Sequence, residues 1–152
     1  MKEIHGDLIK LAIQGEFDVI VHGCNCQCVM GAGIAKQIKI TIPEAYNADL
    51  NTMKGDSTKL GNYSSAVVHF GEHELTVINA YTQFNWRGNG VKVDYSAIKS
   101  IFEKIASEFD GKKIGYPLIG AGLAGGDWNV ISEIIDEALT GQDHTLVKFS
   151  SD

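Results

Sequence analysis

The stretch FDVIVHGCNCQCVMGAGIAKQI, residues 17–38, decides how this chain folds. Phe17 to His22, apolar apart from Asp18 and the closing histidine, have the pattern of a strand covered on both faces. Gly31, Ala32 and Gly33 then interrupt the pattern, and Ile34, Ala35 and Ile38 recur at helical spacing. A buried strand therefore passes through a glycine loop into a helix, which Pro43 ends or follows. That order is the one in which parallel sheets are built.

Outward from this stretch, Lys2 to His5 read as a first strand and Asp7 to Gln14 as a helix with Leu8, Leu11 and Ala12 on one face. Gly15 is placed to end that helix. On the other side, Ala66 to Phe70 and Leu75 to Ala80 alternate around the polar GEHE stretch and predict an antiparallel hairpin. Tyr95, Ile98, Ile101, Phe102, Ile105 and Phe109 trace the strongest helical face in the chain, with Asp94 as its N-cap. Strand Lys113 to Ile119, helix Trp128 to Leu139 and strand Thr145 to Phe149 follow. Alternating strands and helices imply a three-layer α/β/α sandwich, and the hairpin makes its central sheet mixed.

The length of 152 residues suits a single domain over residues 1–152, and 44% apolar with 21% charged residues is ordinary for a folded chain. No apolar run approaches the ~20 residues of a membrane span, and MKEIHGDL has no signal-peptide core. Cys24, Cys26 and Cys28 suit reduced thiols better than disulfides. The expected location is therefore cytoplasmic, with no membrane partner. A formal charge of -6 argues against direct nucleic-acid binding, which draws its affinity from Lys and Arg contacts. A small anion remains compatible, because backbone N–H groups receive phosphate without net positive charge.

Two loops have that chemistry. Gly31, Ala32 and Gly33 either merely permit a tight turn, the commoner use of an isolated G-x-G, or leave room for a phosphate at a helix N-terminus, where several N–H groups lack internal partners. Asn25, just before them, has an amide suited to sugar hydroxyls. The second loop is GAGLAGGD, residues 120–127, again between a strand and a helix. Gly120, Gly122 and Gly125 match G-x-G-x-x-G, but a Rossmann domain places this fingerprint early, and here only one strand follows it. In open α/β sheets both loops fall at the carboxyl ends of the strands, where ligands sit.

Other residues have competing readings. His22 ends a buried strand beside the loop, so it is either a general acid or base or a packed, hydrogen-bonded histidine. Asp127 and Asp7 each precede a helix, so capping competes with a role at the ligand. His22 with the three cysteines at every second position suggests zinc. Alternate residues of a strand, however, form a row spaced by roughly 6.6 Å, whereas a tetrahedral ion needs convergence. Buried small cysteines and no metal are expected. His5, His69, His73 and His144 read as structural or surface residues.

Together, Gly-Asp-Leu-Ile near the start, Val-Ile-Val-His-Gly-Cys-Asn with Met-Gly-Ala-Gly-Ile-Ala, and Pro-Leu-Ile-Gly-Ala-Gly-Leu-Ala-Gly-Gly-Asp-Trp resemble the macrodomain family over essentially the whole chain. The resemblance implies that ADP-ribose lies between the two loops. Asp7, with Leu8 beside it, would accept a hydrogen bond from the adenine amino group, Phe149 would lie against adenine, and Asn25 would contact the distal ribose. Gly31, Ala32, Gly33 and Ile34 would cradle the diphosphate together with Gly120, Ala121, Gly122, Leu123, Ala124 and Gly125.

Within the family, His22 and the His-x-Cys-Asn-Cys stretch resemble the ADP-ribose 1″-phosphate phosphatase branch. The resemblance implies hydrolysis of ADP-ribose 1″-phosphate to ADP-ribose and phosphate, with His22 positioning or protonating, Asp127 orienting water, and no cofactor or metal. The glycohydrolase branch uses a lysine and a Gly-Leu-Asp aspartate. Phe84 or Gln83 stands near that lysine position and Ala124 at the aspartate position, which argues against a lysine-adduct mechanism. A reader module without turnover and a de-ADP-ribosylating hydrolase using substrate-positioned water are the alternatives.

Overall fold

The computed structural model describes residues 1–88 and 90–151. Six strands, β1 (Lys2–Gly6), β2 (Val19–Asn25), β3 (Tyr63–Phe70), β4 (His73–Gln83), β5 (Lys113–Tyr116) and β6 (Asp143–Phe149), form one sheet in the order β1-β6-β5-β2-β4-β3. Only β3 runs antiparallel to its neighbour, so the sheet is mixed as the hairpin implied. The helices are α1 (Leu8–Ile13), α2 (Gly33–Thr41), α3 (Pro43–Leu50), α4 (Tyr95–Glu108) and α5 (Trp128–Ala138).

The strands' two-residue period sorts their side chains between two cores. Val19 and Val21 of β2, Ile78 and Ala80 of β4, and Leu146 of β6 pack against Ile98, Ile101, Phe102 and Ile105 of α4 and Ile131 and Ile135 of α5. Ile20, Leu75, Val77 and Val147 point the other way, onto Leu8, Ile9 and Ala12 of α1, Ile38 of α2 and Ala45 of α3. Each fully buried large side chain of the α4 face contributes roughly 1.5–3 kcal/mol of burial free energy to that layer.

Several boundaries differ from the sequence reading. β2 starts at Val19 and continues through Cys24 to Asn25, because β4 extends alongside it to Gln83. β5 stops at Tyr116 rather than Ile119: Pro117 has no N–H to give the ladder, and the Ile119 N–H turns back to the Pro117 carbonyl at 2.7 Å. Pro43 does more than end α2, since it occupies the first turn of a separate α3. The apolar spacing of α3 is too weak to have announced it.

Candidate functional site

The carboxyl edge of the sheet carries the site. After β2 the chain enters α2 on one face, whereas after β5 it enters α5 on the other. β2 and β5 are neighbours, so a crevice opens between them where the connections diverge. Both glycine loops border that crevice. A Cβ added to Gly33 would lie 4.0 Å from Leu123 Cδ1, so the loops face each other across it.

The first loop leaves its donors free. α2 begins at Gly33 after an N-cap Ala32 that supplies no side-chain cap, and the first helical bond is from the Lys36 N–H to the Ala32 carbonyl. The N–H groups of Gly33, Ile34 and Ala35 therefore point out of the helix end without acceptors among the described residues. Opposite, Gly125 and Gly126 bond back to the Gly122 and Gly120 carbonyls at 3.0 and 2.7 Å, which closes the second loop into a compact turn. The N–H groups of Gly122, Leu123 and Ala124 have no acceptor among the described residues. Two sets of donors plus a positive helix end have the chemistry that suits a small polyanion.

At the far end of the same edge, the register pairs Gly6 with Phe149, and the Ser150 N–H donates to the Gly6 carbonyl at 2.9 Å. Asp7 and Phe149, 142 positions apart in the chain, thereby become neighbours. Phe149 is 78% exposed, unusual for an aromatic without a partner to cover it. Asp7 caps α1, its Oδ1 accepting from the Ile9 and Lys10 N–H groups at 3.1 and 3.2 Å. The cap uses Oδ1 alone. Leu8 lies in the core, so any ligand contact from it comes through its backbone, and Ile34 is partly buried against the same core.

Three candidate residues have partners within the chain. His22 has no exposed surface. Its Nε2–H donates to Asn79 Oδ1 at 2.7 Å, an orientation set because Asn79 Nδ2 donates to the Ala45 carbonyl and Ser64 Oγ. Burial pushes the imidazole pKa down to about 4, against which the Asn79 bond works only in part. The packed histidine is thus the reading the geometry favours, and a neutral ring sealed beneath α3 does not fit a general acid. Asp127 is a helix cap, with Oδ1 accepting from the Asn129 N–H at 2.9 Å, while its own N–H donates to Tyr95 Oη. Asn25 shapes its own loop: Nδ2 donates to the Val29 carbonyl and Oδ1 accepts from the Gln27 N–H, both at 2.9 Å.

The cysteines also turn inward. Cys26 donates toward the Gln83 carbonyl and Cys28 toward the Asp49 carbonyl, and all three thiols are free and buried. Burial, with the Asp49 carboxylate adding to it, raises the Cys24 pKa well above the usual thiol range. Sequence reasoning missed Lys92. Its backbone N–H donates to the Ala124 carbonyl at 2.8 Å and its Nζ to the Leu123 carbonyl at 3.5 Å. No local pattern distinguishes it from other lysines. Two open hollows of about 210 and 360 Å³ lie at the opposite, amino-terminal edge, one lined by Lys2, Phe17 and Lys113.

Comparison with known proteins identifies the family and supports the fold. The Macro domain family model matches residues 21–135. A 17.5 kDa protein of Enterobacteria phage T4 from the tk-vs intergenic region is 39% identical over 142 residues, covering 90% of this chain and 88% of its own. The DNA ADP-ribosyl glycohydrolase of Mycobacterium tuberculosis is 28% identical over 132 residues, covering 84% of this chain but only 35% of that protein. In structure, the macrodomain of Mycobacterium tuberculosis DarG superposes with a TM-score of 0.72 at 23% identity, over 96% of this chain and 95% of its own. Thermosipho africanus DarTG in complex with ADP-ribose superposes at 0.78 and 17% identity, over 96% of this chain and 40% of its own. These last two likenesses speak to fold alone. With the family model spanning most of the sheet and both loops, the chain belongs to the Macro domain family.

Proposed function

We propose that this chain binds ADP-ribose along the carboxyl edge of its sheet, with adenine between Asp7 and Phe149, the diphosphate between the two glycine loops, and the distal ribose toward β4. One observation carries the reading: the uncapped N-terminus of α2 faces a second loop whose Gly122, Leu123 and Ala124 N–H groups also lack acceptors among the described residues. An acidic protein holds an anion in this way without a basic patch. Isothermal calorimetry with ADP-ribose tests it, using AMP and ribose 5-phosphate as partial ligands. Absence of heat with ADP-ribose overturns the reading.

The reaction that best suits this cleft is release of phosphate from ADP-ribose 1″-phosphate. Backbone donors would stabilise charge on the phosphate oxygens, and water held by the substrate would attack, without His22 as proton donor. A second reading, release of ADP-ribose from a modified macromolecule, is favoured by the named activity of the mycobacterial relative. Incubation with each substrate, following phosphate and ADP-ribose separately, distinguishes them. If neither product forms while ADP-ribose binds, the protein is a reader.

A further inference from the structure

We propose that Lys92 is a specificity-determining residue of this cleft, whose ammonium receives an anionic substituent at the distal end of the ligand. The site would then favour ADP-ribose bearing a terminal phosphate over ADP-ribose itself. The inference rests on reading the cleft as an ADP-ribose site.

The sheet order sets the geometry. With adenine at β1 and β6 and the diphosphate at β5 and β2, the distal end points to β4, about 14 Å from β6 at one strand spacing per step. The connection leaving β4 is where Lys92 lies. This connection differs in charge from the rest of an acidic chain: no Asp or Glu occurs between Glu74 and Asp94, and the sole arginine, Arg87, lies within it. Arg87 is turned onto the Trp86 ring, 4.7 Å from its centroid. Lys92 instead reaches the second loop, its backbone fastened to Ala124 and its Nζ to the Leu123 carbonyl.

Leu123 is the residue that faces Gly33 across the crevice. The ammonium therefore stands at the second loop, on the residue whose side chain faces the first. Its bond of 3.5 Å is at the long limit of a hydrogen bond, so little is lost when the ammonium turns to a phosphate oxygen. The carboxylates that flank this region do not compete, because Asp94 accepts from the Ala97 N–H and Asp127 from the Asn129 N–H, each turned onto its own helix end. A terminal phosphomonoester adds about -1.5 to -2 charges at neutral pH, which gives a second anionic group something to gain from a cation that ADP-ribose alone leaves unused. A charge-assisted hydrogen bond at a half-buried site corresponds to about tenfold in affinity.

The test measures dissociation constants for ADP-ribose and for its 1″-methylenephosphonate, which carries the charge but cannot be hydrolysed. The proteins are the parent, Lys92→Gln, Lys92→Arg and, as a control for net charge, Lys99→Gln, whose side chain lies on α4 beside Glu103. The parent should prefer the phosphonate, Lys92→Gln should weaken the phosphonate about tenfold more than it weakens ADP-ribose, and Lys92→Arg and Lys99→Gln should keep the parental preference. The preference should shrink at high salt in the parent and not in Lys92→Gln. A folded Lys92→Gln protein with the parental preference, or a parent with none, overturns the inference while leaving ADP-ribose binding intact. A parent that binds neither ligand overturns the proposed function itself.

Discussion

If His22 is a packed histidine and not a proton donor, its titration should appear in stability. The unfolded imidazole takes up a proton near pH 6.5, whereas in the folded protein burial holds it neutral down to about pH 4. Between those values the unfolded state binds more protons, so His22 stabilises the fold fully above pH 6.5 and loses that contribution as pH falls through the window. At about 1.4 kcal/mol per pH unit, the full window corresponds to about 3 kcal/mol, and the part between pH 7 and pH 5 to about 2 kcal/mol. The assay is urea unfolding at pH 7 and pH 5 for the parent and His22→Gln, which retains a donor for Asn79. Depression of the His144 pKa by burial acts in the same sense, and elevation of the Asp49 pKa by burial acts in the opposite one. Both are common to the two proteins, so the difference in their pH dependence isolates His22. His22→Gln should lose about 2 kcal/mol less than the parent over that interval. Equal losses would show that the ring is not held neutral and would reopen its role as an acid.

Gly33→Val should abolish ADP-ribose affinity in a calorimeter while costing only about 1–2 kcal/mol of stability, since φ is +58° there but the nearest atom to a new Cβ is Leu123 Cδ1 at 4.0 Å. The new side chain would fill the crevice. Gly120→Ala should instead destabilise by about 2–4 kcal/mol, because φ is +73° and the Cβ would meet Val93 Cγ2 at 2.7 Å; a thermal melt reads this. Phe149→Ala should leave stability within about 0.5 kcal/mol, as the ring is exposed, yet weaken ADP-ribose binding by about 1–3 kcal/mol through lost stacking on adenine, with ribose 5-phosphate unaffected. Asp7→Ala should cost about 1 kcal/mol of stability through the lost cap and weaken adenine ligands more than inorganic phosphate. Equal weakening of both would make Asp7 a cap alone.

Residues 17–38 and 113–128 carried the fold in their spacing, because strand period, helical period and capping act within a few neighbouring residues. Asp7, Asp94 and Asp127 each cap the helix that their position in the sequence indicated. The glycine loops were visible for the same reason, since the residue type itself supplies the room and the backbone freedom. What required tertiary structure was everything set by pairing at long range. His22 reads alike as acid or as packing until Asn79, 57 positions away, is found holding its ring, and the three cysteines alternate like ligands until their partners draw them apart. Lys92 joins the site only because β4 lies beside β2, and Phe149 meets Asp7 only because β6 pairs with β1. Local spacing determines which face a residue can occupy. The order in which strands pair determines what stands opposite it, and that depends on how the two cores pack on the sheet.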